Sequence, residues 1–248
     1  MAIKRSRSAL SARRLAVPVP ARRNHILAAL SAIELRRLSS RADTVNLASG
    51  QVLYDPGELK SYVYFPTGAY ISQVSSLGGA PRIEVGLVGA EGMVGSSLVF
   101  GIKVAPLYTI VQGAGSALRV DAAQFIRELA RGPTLRAVMN RYMYVRLSQL
   151  GQMAACAHFH SVQERLARWL LMTRDRAQSD AFYITHEYMA FMLGVRRVGV
   201  TEAATLLQRR NLIRYSRGEL AILNGLELEA LSCECYATAE RVYRQYMD

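Results

Sequence analysis

The sequence predicts an α+β chain: an antiparallel β domain, then one long helix, then a helical head carrying a β hairpin. Three observations predict it. Between about 44 and 120, short β-rich runs alternate with glycine-marked turns. From Asp121 the apolar period becomes helical, and after Gly132-Pro133 a run of about 25 residues is interrupted only by Gly151. Around 185–220, two short helical segments meet at a glycine and two short strands follow.

The totals bound the function. The 248 residues are 51% hydrophobic and 20% charged, enough apolar material for one or two globular domains. Lys and Arg number 31 against 19 Asp and Glu, a formal +12 with a pI near 10.0. That balance favours polyanionic partners, nucleic acid ahead of an anionic membrane. No apolar run reaches the roughly 18 residues that span a bilayer. The opening MAIKRSRSALSARRLAVPVPARRN has no continuous apolar segment of secretory type, so a cytoplasmic location is expected and no membrane partner. No HExxH, P-loop, nucleophile–base pair or paired carboxylates at catalytic spacing occurs, so no enzyme and no catalytic residue is expected.

The elements follow in order. Residues 1–23 carry Lys4, Arg5, Arg7, Arg13, Arg14, Arg22 and Arg23 and no acid, as expected of a flexible basic tail. Ser31 with Glu34 is a capping box for a short helix with Leu27, Leu30, Leu35 and Leu38 on its apolar positions. VLYDPGE, SYVYFPTGAYISQVSSLGG, RIEVGLVGAEGMVG and YTIVQGAGSALRV are strand runs; Pro56-Gly57, Gly78-Gly79 and Gly113 to Gly115 mark turns. Such close spacing predicts a compact sandwich or barrel.

Asp121 is placed to cap the helix DAAQFIREL. In the long helix, Leu135, Val138, Tyr142, Val145, Gln149, Gln152, Cys156 and Phe159 recur at 3-4 spacing for over three heptads. That predicts a dimer seam between two copies of the helix. A second stripe, Met143, Leu147, Leu150 and Ala154, is expected to face the β domain. SVQERLARWLLMTRDRA (161–177) is another helix and AFYI (181–184) a short strand.

The head is the most informative segment. Thr185 caps HEYMAFML, Glu187 sits in its first turn, and Gly194 ends it where a positive φ is needed. A second helix starts at about Arg197. Val200, Ala203, Ala204 and Leu207 form its inward stripe; Arg197, Thr201, Thr205 and Gln208 form the outward one, with Glu202 beside it. The helix has no lysine for the usual i,i+4 pairs, and arginines stand at its N-terminal end. These are the parts of a helix-turn-helix that reads DNA: Arg suits guanine, and Glu202 can accept from cytosine or hold an arginine. Gly199 costs about 1 kcal/mol relative to Ala, which a close backbone approach to DNA or to the first helix would explain. LIRY and ELAIL about Ser-Arg-Gly form a wing, offering Arg214 and Arg217 to phosphates. From 185 to 220 six arginines face three acids; from 224 to 248 five acids face two arginines.

This order of parts resembles the Crp/Fnr superfamily of bacterial transcription regulators, from about 24 to 225. The strongest match is T-x(8)-G-x(2)-R…N-L-I, here Thr185, Gly194, Arg197, Asn211, Leu212 and Ile213. The resemblance implies a cyclic-nucleotide-binding-like β-roll at 24–132, a dimerisation helix at 133–160, and a winged helix-turn-helix with a C-terminal extension at 161–248. It implies double-stranded DNA, a second copy of the chain and RNA polymerase as partners. His186 matches a family phosphate-contact position, and Arg196 lies beside the reading tip. The expected DNA contacts are thus Thr185, His186, Arg196, Arg197, Thr201, Glu202, Thr205, Gln208, Arg214 and Arg217. Arg197-Val198-x(3)-Glu202 departs from the Arg-Glu-x(3)-Arg of the cyclic AMP receptor, so the half-site should differ.

The resemblance also locates a nucleotide cassette, at GMVGSSLVFGIKVAPLYT, and the cassette is eroded. Gly95 fits, but Ser96 stands where the family's glutamate holds ribose, and Pro106 and Leu107 stand where Arg-Ser grips the cyclic phosphate. Lys103 is its only cation, and Leu150 and Gly151 replace hydroxyls that face adenine. Without a bidentate arginine the phosphate loses its strongest bond, so high-affinity cyclic AMP binding is not expected. Gly95, Ser96, Ser97, Lys103, Leu150 and Gly151 are the candidate pocket residues for another effector. The alternative is a constitutive regulator whose β-roll serves only dimerisation or polymerase contact.

No cysteine precedes Cys156, which excludes the N-terminal iron–sulfur cluster of the family's oxygen-sensing branch. His25, His158, His160 and His186 are taken as helix-end or solvent residues, not haem ligands. Cys233 and Cys235 form a lone C-x-C without zinc-finger partners at the usual spacing, so all three cysteines are expected as plain thiols, with no metal.

Overall fold

The computed structural model describes residues 23–75 and 83–248. The expected basic tail, apart from Arg23, and the Gly78-Gly79 turn lie outside the described residues.

Two short helices, α1 (His25–Ala28) and α2 (Ala32–Ser39), precede seven strands: β1 (Ala42–Leu47), β2 (Val52–Tyr54), β3 (Tyr62–Pro66), β4 (Tyr70–Ser75), β5 (Ile83–Val88), β6 (Tyr108–Gly113) and β7 (Gly115–Asp121). They form two antiparallel sheets, β1-β7-β3 and β2-β6-β4-β5. Ser31 Oγ accepts from Glu34 N at 3.3 Å, as the capping motif predicts. The Glu34 carboxylate does not complete the box at the Ser31 backbone. It takes the Ser31 hydroxyl at 2.9 Å and Thr134 N at 3.0 Å, so one buried acid serves the starts of two helices.

Asp121 caps α3 (Ala122–Arg131) through Gln124 N at 2.9 Å. Pro133 then opens α4 (Pro133–Phe159), 27 residues long, where its missing N–H costs nothing. Its flank completes the core under the β1-β7-β3 sheet, where Phe65, Leu118 and Phe125 meet Leu135, Val138, Met139 and Tyr142.

That packing reverses the two faces expected of α4. Leu135, Val138, Tyr142, Val145 and Cys156, expected to form a seam with another copy, are 0–2% exposed in the single chain. Gln149 is half-buried and accepts from Arg146 Nη1 at 3.3 Å; Gln152 is half-buried beside it in a small cavity. The stripe expected to meet the β domain is the open one: Leu147 is 69% exposed and Leu150 42%, with Met143 half-buried and Ala154 exposed. Both stripes are apolar at the same spacing, so periodicity alone does not say which one the chain covers itself.

The second half comprises α5 (Val162–Ala177), with a full Ser161–Glu164 capping box, then β8 (Ala181–Tyr183), α6 (His186–Leu193), α7 (Arg197–Arg209), β9 (Ile213–Ser216) and β10 (Glu219–Ile222). The three strands pair in the order β8-β10-β9. Helices α8 (Gly225–Leu231) and α9 (Cys235–Met247) finish the chain. The start of the extension packs with the head, as Leu228 and Tyr236 lie in its core, and the rest of α9 returns to the front of the molecule. Helix α9 lies against α4, Tyr243 OH donates to Glu91 O at 2.9 Å and lies 3.0 Å from His25 Nδ1, and Met247 packs on the first core.

Candidate nucleic-acid interface

The head is built on conformational punctuation. Thr185 Oγ1 accepts from Tyr188 N at 3.1 Å and starts α6. Gly194 ends it in the left-handed region at φ 63°, which disfavours any side chain, and a Cβ there would also press on Ile83, 2.9 Å from its Cδ1. Asn211, at φ 56°, makes the turn after α7 that leads to the wing. Three of the six motif residues thus set backbone direction.

Helix α7 buries Val200, Ala203, Ala204 and Leu207 against α5 and α6, as its apolar stripe requires. Its opposite face is open: Arg196, Arg197, Thr201 and Glu202 are exposed and Thr205 is half-buried. No side chain caps the helix, so the first backbone N–H groups stay available to an anion. Thr201 Oγ1 donates to Arg197 O at 3.0 Å, and Thr205 Oγ1 to Thr201 O at 2.7 Å, both hydrogen bonds running back along the helix. A Cβ at Gly199 would meet only the Val162 methyls at 3.9 Å, an ordinary contact. Packing within the chain does not require that glycine, and its nearest outside neighbour is α5, not the first helix of the motif.

The wing turn joins β9 to β10 through Arg217 at φ 51° and Gly218 at φ 89°, the two left-handed residues of a tight hairpin. Arg217 therefore projects from the tip. Arg196, Arg197, Arg209, Arg210, Arg214 and Arg217 are all exposed, and none is in an ion pair among the described residues.

Two expected contacts are otherwise engaged. Gln208 Oε1 accepts from Tyr215 N at 3.0 Å, because β9 is an edge strand and that N–H needs a partner; the side chain braces helix to wing instead of pointing outward. His186 stacks on Tyr215 with ring centroids 4.3 Å apart and places Nδ1 3.1 Å from Thr201 Oγ1. Burial, then the nearby Arg197 charge, hold its pKa below the usual imidazole value, so the ring is a neutral strut between α6, α7 and the wing.

The candidate effector residues divide. Gly95 begins the 3-10 turn Ser96–Phe100 at φ 94°, and Ser97 Oγ donates to Ile102 O at 2.9 Å. Lys103, Leu150 and Gly151 are exposed, the last two on the open stripe of α4. Arg119, the nearest arginine after the cassette, is held by Asp43 at 3.1 Å and lies over the Tyr62 ring.

One cluster is absent from the sequence-based expectations. Cys156, His160, Cys233 and Cys235 place one ligand atom each within 4.8 Å of all the others. The Cys233 hydrogen bond pushes the Cys156 thiol down to about 5 and raises that of Cys233 in return. Cys156 and His160 share one helical face at i,i+4, which the sequence does carry; folding α9 back onto α4 brings the C-x-C to them.

Residues 164–231 match the family model of the Crp-like helix-turn-helix domain. No curated protein matches the chain in sequence. Among solved structures, FixK2 from Bradyrhizobium japonicum superposes with a TM-score of 0.65 at 14% identity, covering 77% of this chain and 98% of its own. A CRP-family transcriptional regulator from Thermus thermophilus gives 0.61 at 17% identity, over 76% and 96%. CLP from Xanthomonas campestris, described as a c-di-GMP responsive global regulator, gives 0.61 at 14%, over 77% and 99%. The chain thus carries a Crp-like helix-turn-helix domain over residues 164–231, and its fold is similar to those of these Crp/Fnr-type proteins.

Proposed function

We propose that the chain is a homodimeric, sequence-specific DNA-binding regulator whose two heads read the halves of a pseudo-palindrome. The observation that carries this is the set of six exposed arginines, at both ends of the uncapped α7 and on the wing, that have no ion-pair partner among the described residues. Uncompensated charge of one sign is unfavourable unless an anion answers it. In this reading Arg196 and Arg197 reach base edges, and Thr201, Glu202 and Thr205 line the groove face. Arg214 and Arg217 take phosphates, and the α6 start at Thr185 and His186 approaches the backbone through its N–H groups. The open stripe Met143, Leu147, Leu150 and Ala154 pairs two copies of α4 and spaces the heads about 34 Å apart, one turn of DNA. RNA polymerase is the further partner.

Selection from random duplexes followed by footprinting tests the reading. A two-arm site with about 10 base pairs between centres is expected; absence of any enriched site contradicts it. The effector is not cyclic AMP: no arginine stands in the cassette, and Arg119 is occupied elsewhere. The same observation favours a second reading, constitutive DNA binding with a β-roll that holds no ligand. A thermal-shift panel of nucleotides, including cyclic AMP and c-di-GMP, separates the two. A shift with one nucleotide excludes the constitutive reading, and tight cyclic AMP binding contradicts both.

A further inference from the structure

The ligand atoms of Cys156, His160, Cys233 and Cys235 stand at the spacing of a metal-centred tetrahedron. A tetrahedral zinc ion with bonds of about 2.3 Å to sulfur and about 2.05 Å to nitrogen holds its ligands about 3.8 Å apart for S···S and about 3.6 Å for S···N. Cys156 Sγ and Cys233 Sγ are 3.6 Å apart, and Cys235 Sγ and His160 Nδ1 are also 3.6 Å apart. All four ligand atoms fall within 4.8 Å, room for a single ion and not for several bridged irons. The three cysteines form a buried cluster of their own.

We propose that this is a Cys3His site for one zinc ion, pinning α9 to the end of α4. Two features outside the four ligands fit it. His160 offers Nδ1 to the cluster while its Nε2 lies 3.3 Å from Glu234 Oε2, the outer carboxylate that fixes the tautomer and orientation of a zinc-bound imidazole. Three thiolates and one Zn²⁺ leave a net −1, and Arg168, buried on α5 within electrostatic reach of all three sulfurs, has an Nε–H with no hydrogen-bond partner. Binding holds all three cysteines as thiolates and releases to solvent the protons that remain on them; no oxidant or reductant is involved.

The site stands at the joint of the molecule. Cys156 lies in the last turn of α4, His160 is its C-cap, Ser161 caps the helix leading into the head, and Cys235 opens α9. An ion there fixes the angle at which the long helix hands over to α5. Metal binding at this joint does not depend on DNA binding, and its test reads the metal directly.

The full chain is purified under reducing conditions without chelators, and its metal content is measured. About one zinc per chain is expected. After chelation and reloading with Co²⁺, the spectrum should show tetrahedral d–d bands with thiolate-to-cobalt charge transfer. Cys235→Ser should lose most of the metal, and Glu234→Ala should weaken affinity by about 10-fold. Should the serine variant fold poorly, the wild-type cobalt spectrum decides alone. A zinc-free reduced protein without a tetrahedral cobalt spectrum overturns the proposal. So does iron with acid-labile sulfide, or a Cys156–Cys233 disulfide in the native protein.

Discussion

The indole Nε1 of Trp169 donates to Oε1 of Glu84 at 2.9 Å, and both residues are buried. Trp169 belongs to α5, at the base of the head, and Glu84 to β5, in the sensor-like sheet. Ser72 Oγ donates to the other carboxylate oxygen at 2.7 Å. This is a polar tie across the joint between the two halves, in the same wall as the Ile83–Gly194 contact.

The tie should make stability pH-dependent. Burial raises the Glu84 pKa from 4.5 to about 7, against the hydrogen bonds from Ser72 and Trp169 and the fields of Arg176 and Arg168. An acid whose folded pKa lies above its unfolded one binds more protons when folded. Its contribution is full below pH 4.5 and is lost as pH rises to about 7, a change on the order of 3 kcal/mol. Chemical denaturation at pH 5 and pH 8 should show a larger drop for wild type than for Glu84→Gln. Equal drops would mean the carboxyl is not held this way.

Trp169→Phe keeps the ring and removes the donor. It should cost about 1–3 kcal/mol, because Glu84 Oε1 is left without its partner in a dry site. The same variant should shift the Glu84 midpoint further upward, readable as a displaced pH–stability curve.

The two stripes of α4 make opposite predictions. Leu147→Glu, on the open stripe, should dissociate the dimer in sedimentation while the monomer melts near wild type. Leu135→Ala, on the covered stripe, should cost about 2–5 kcal/mol of stability and leave the association state unchanged. The reverse pattern would restore the seam first expected from the heptad count.

At the wing, Arg217 holds a left-handed conformation that suits glycine better. Arg217→Gly should raise stability by up to about 1 kcal/mol while weakening DNA binding for all sequences alike and reducing the salt slope by about 1. Gly218→Ala should destabilise, since its Cβ would lie 2.5 Å from the Tyr183 ring. An Arg217→Gly variant with unchanged salt dependence would remove the wing tip from the interface.

Much of the head was legible in the sequence, because caps and turns are local. Thr185, Gly194 and the Val200–Leu207 stripe act through neighbours within a few positions, and the structure places them as their types demand. What failed was long-range. Periodicity found two apolar stripes on α4 but could not tell which one the β sheets and α9 would cover. Gln208 has the spacing of an outward residue, yet the edge strand claims it. Cys156 and Cys233 stand 77 positions apart and meet only because α9 doubles back. The i,i+4 pair Cys156 and His160 was the one local hint of that cluster.

Whether α7 reads bases through Arg197 is decided by competition binding. Wild type and Arg197→Ala are compared on the selected site and on unrelated duplex, at fixed salt. The alanine variant should stay dimeric and keep its nonspecific affinity, but lose discrimination by about 10-fold or more, as expected for a lost bidentate contact. Discrimination equal to wild type, with the dimer intact, would contradict base reading by Arg197.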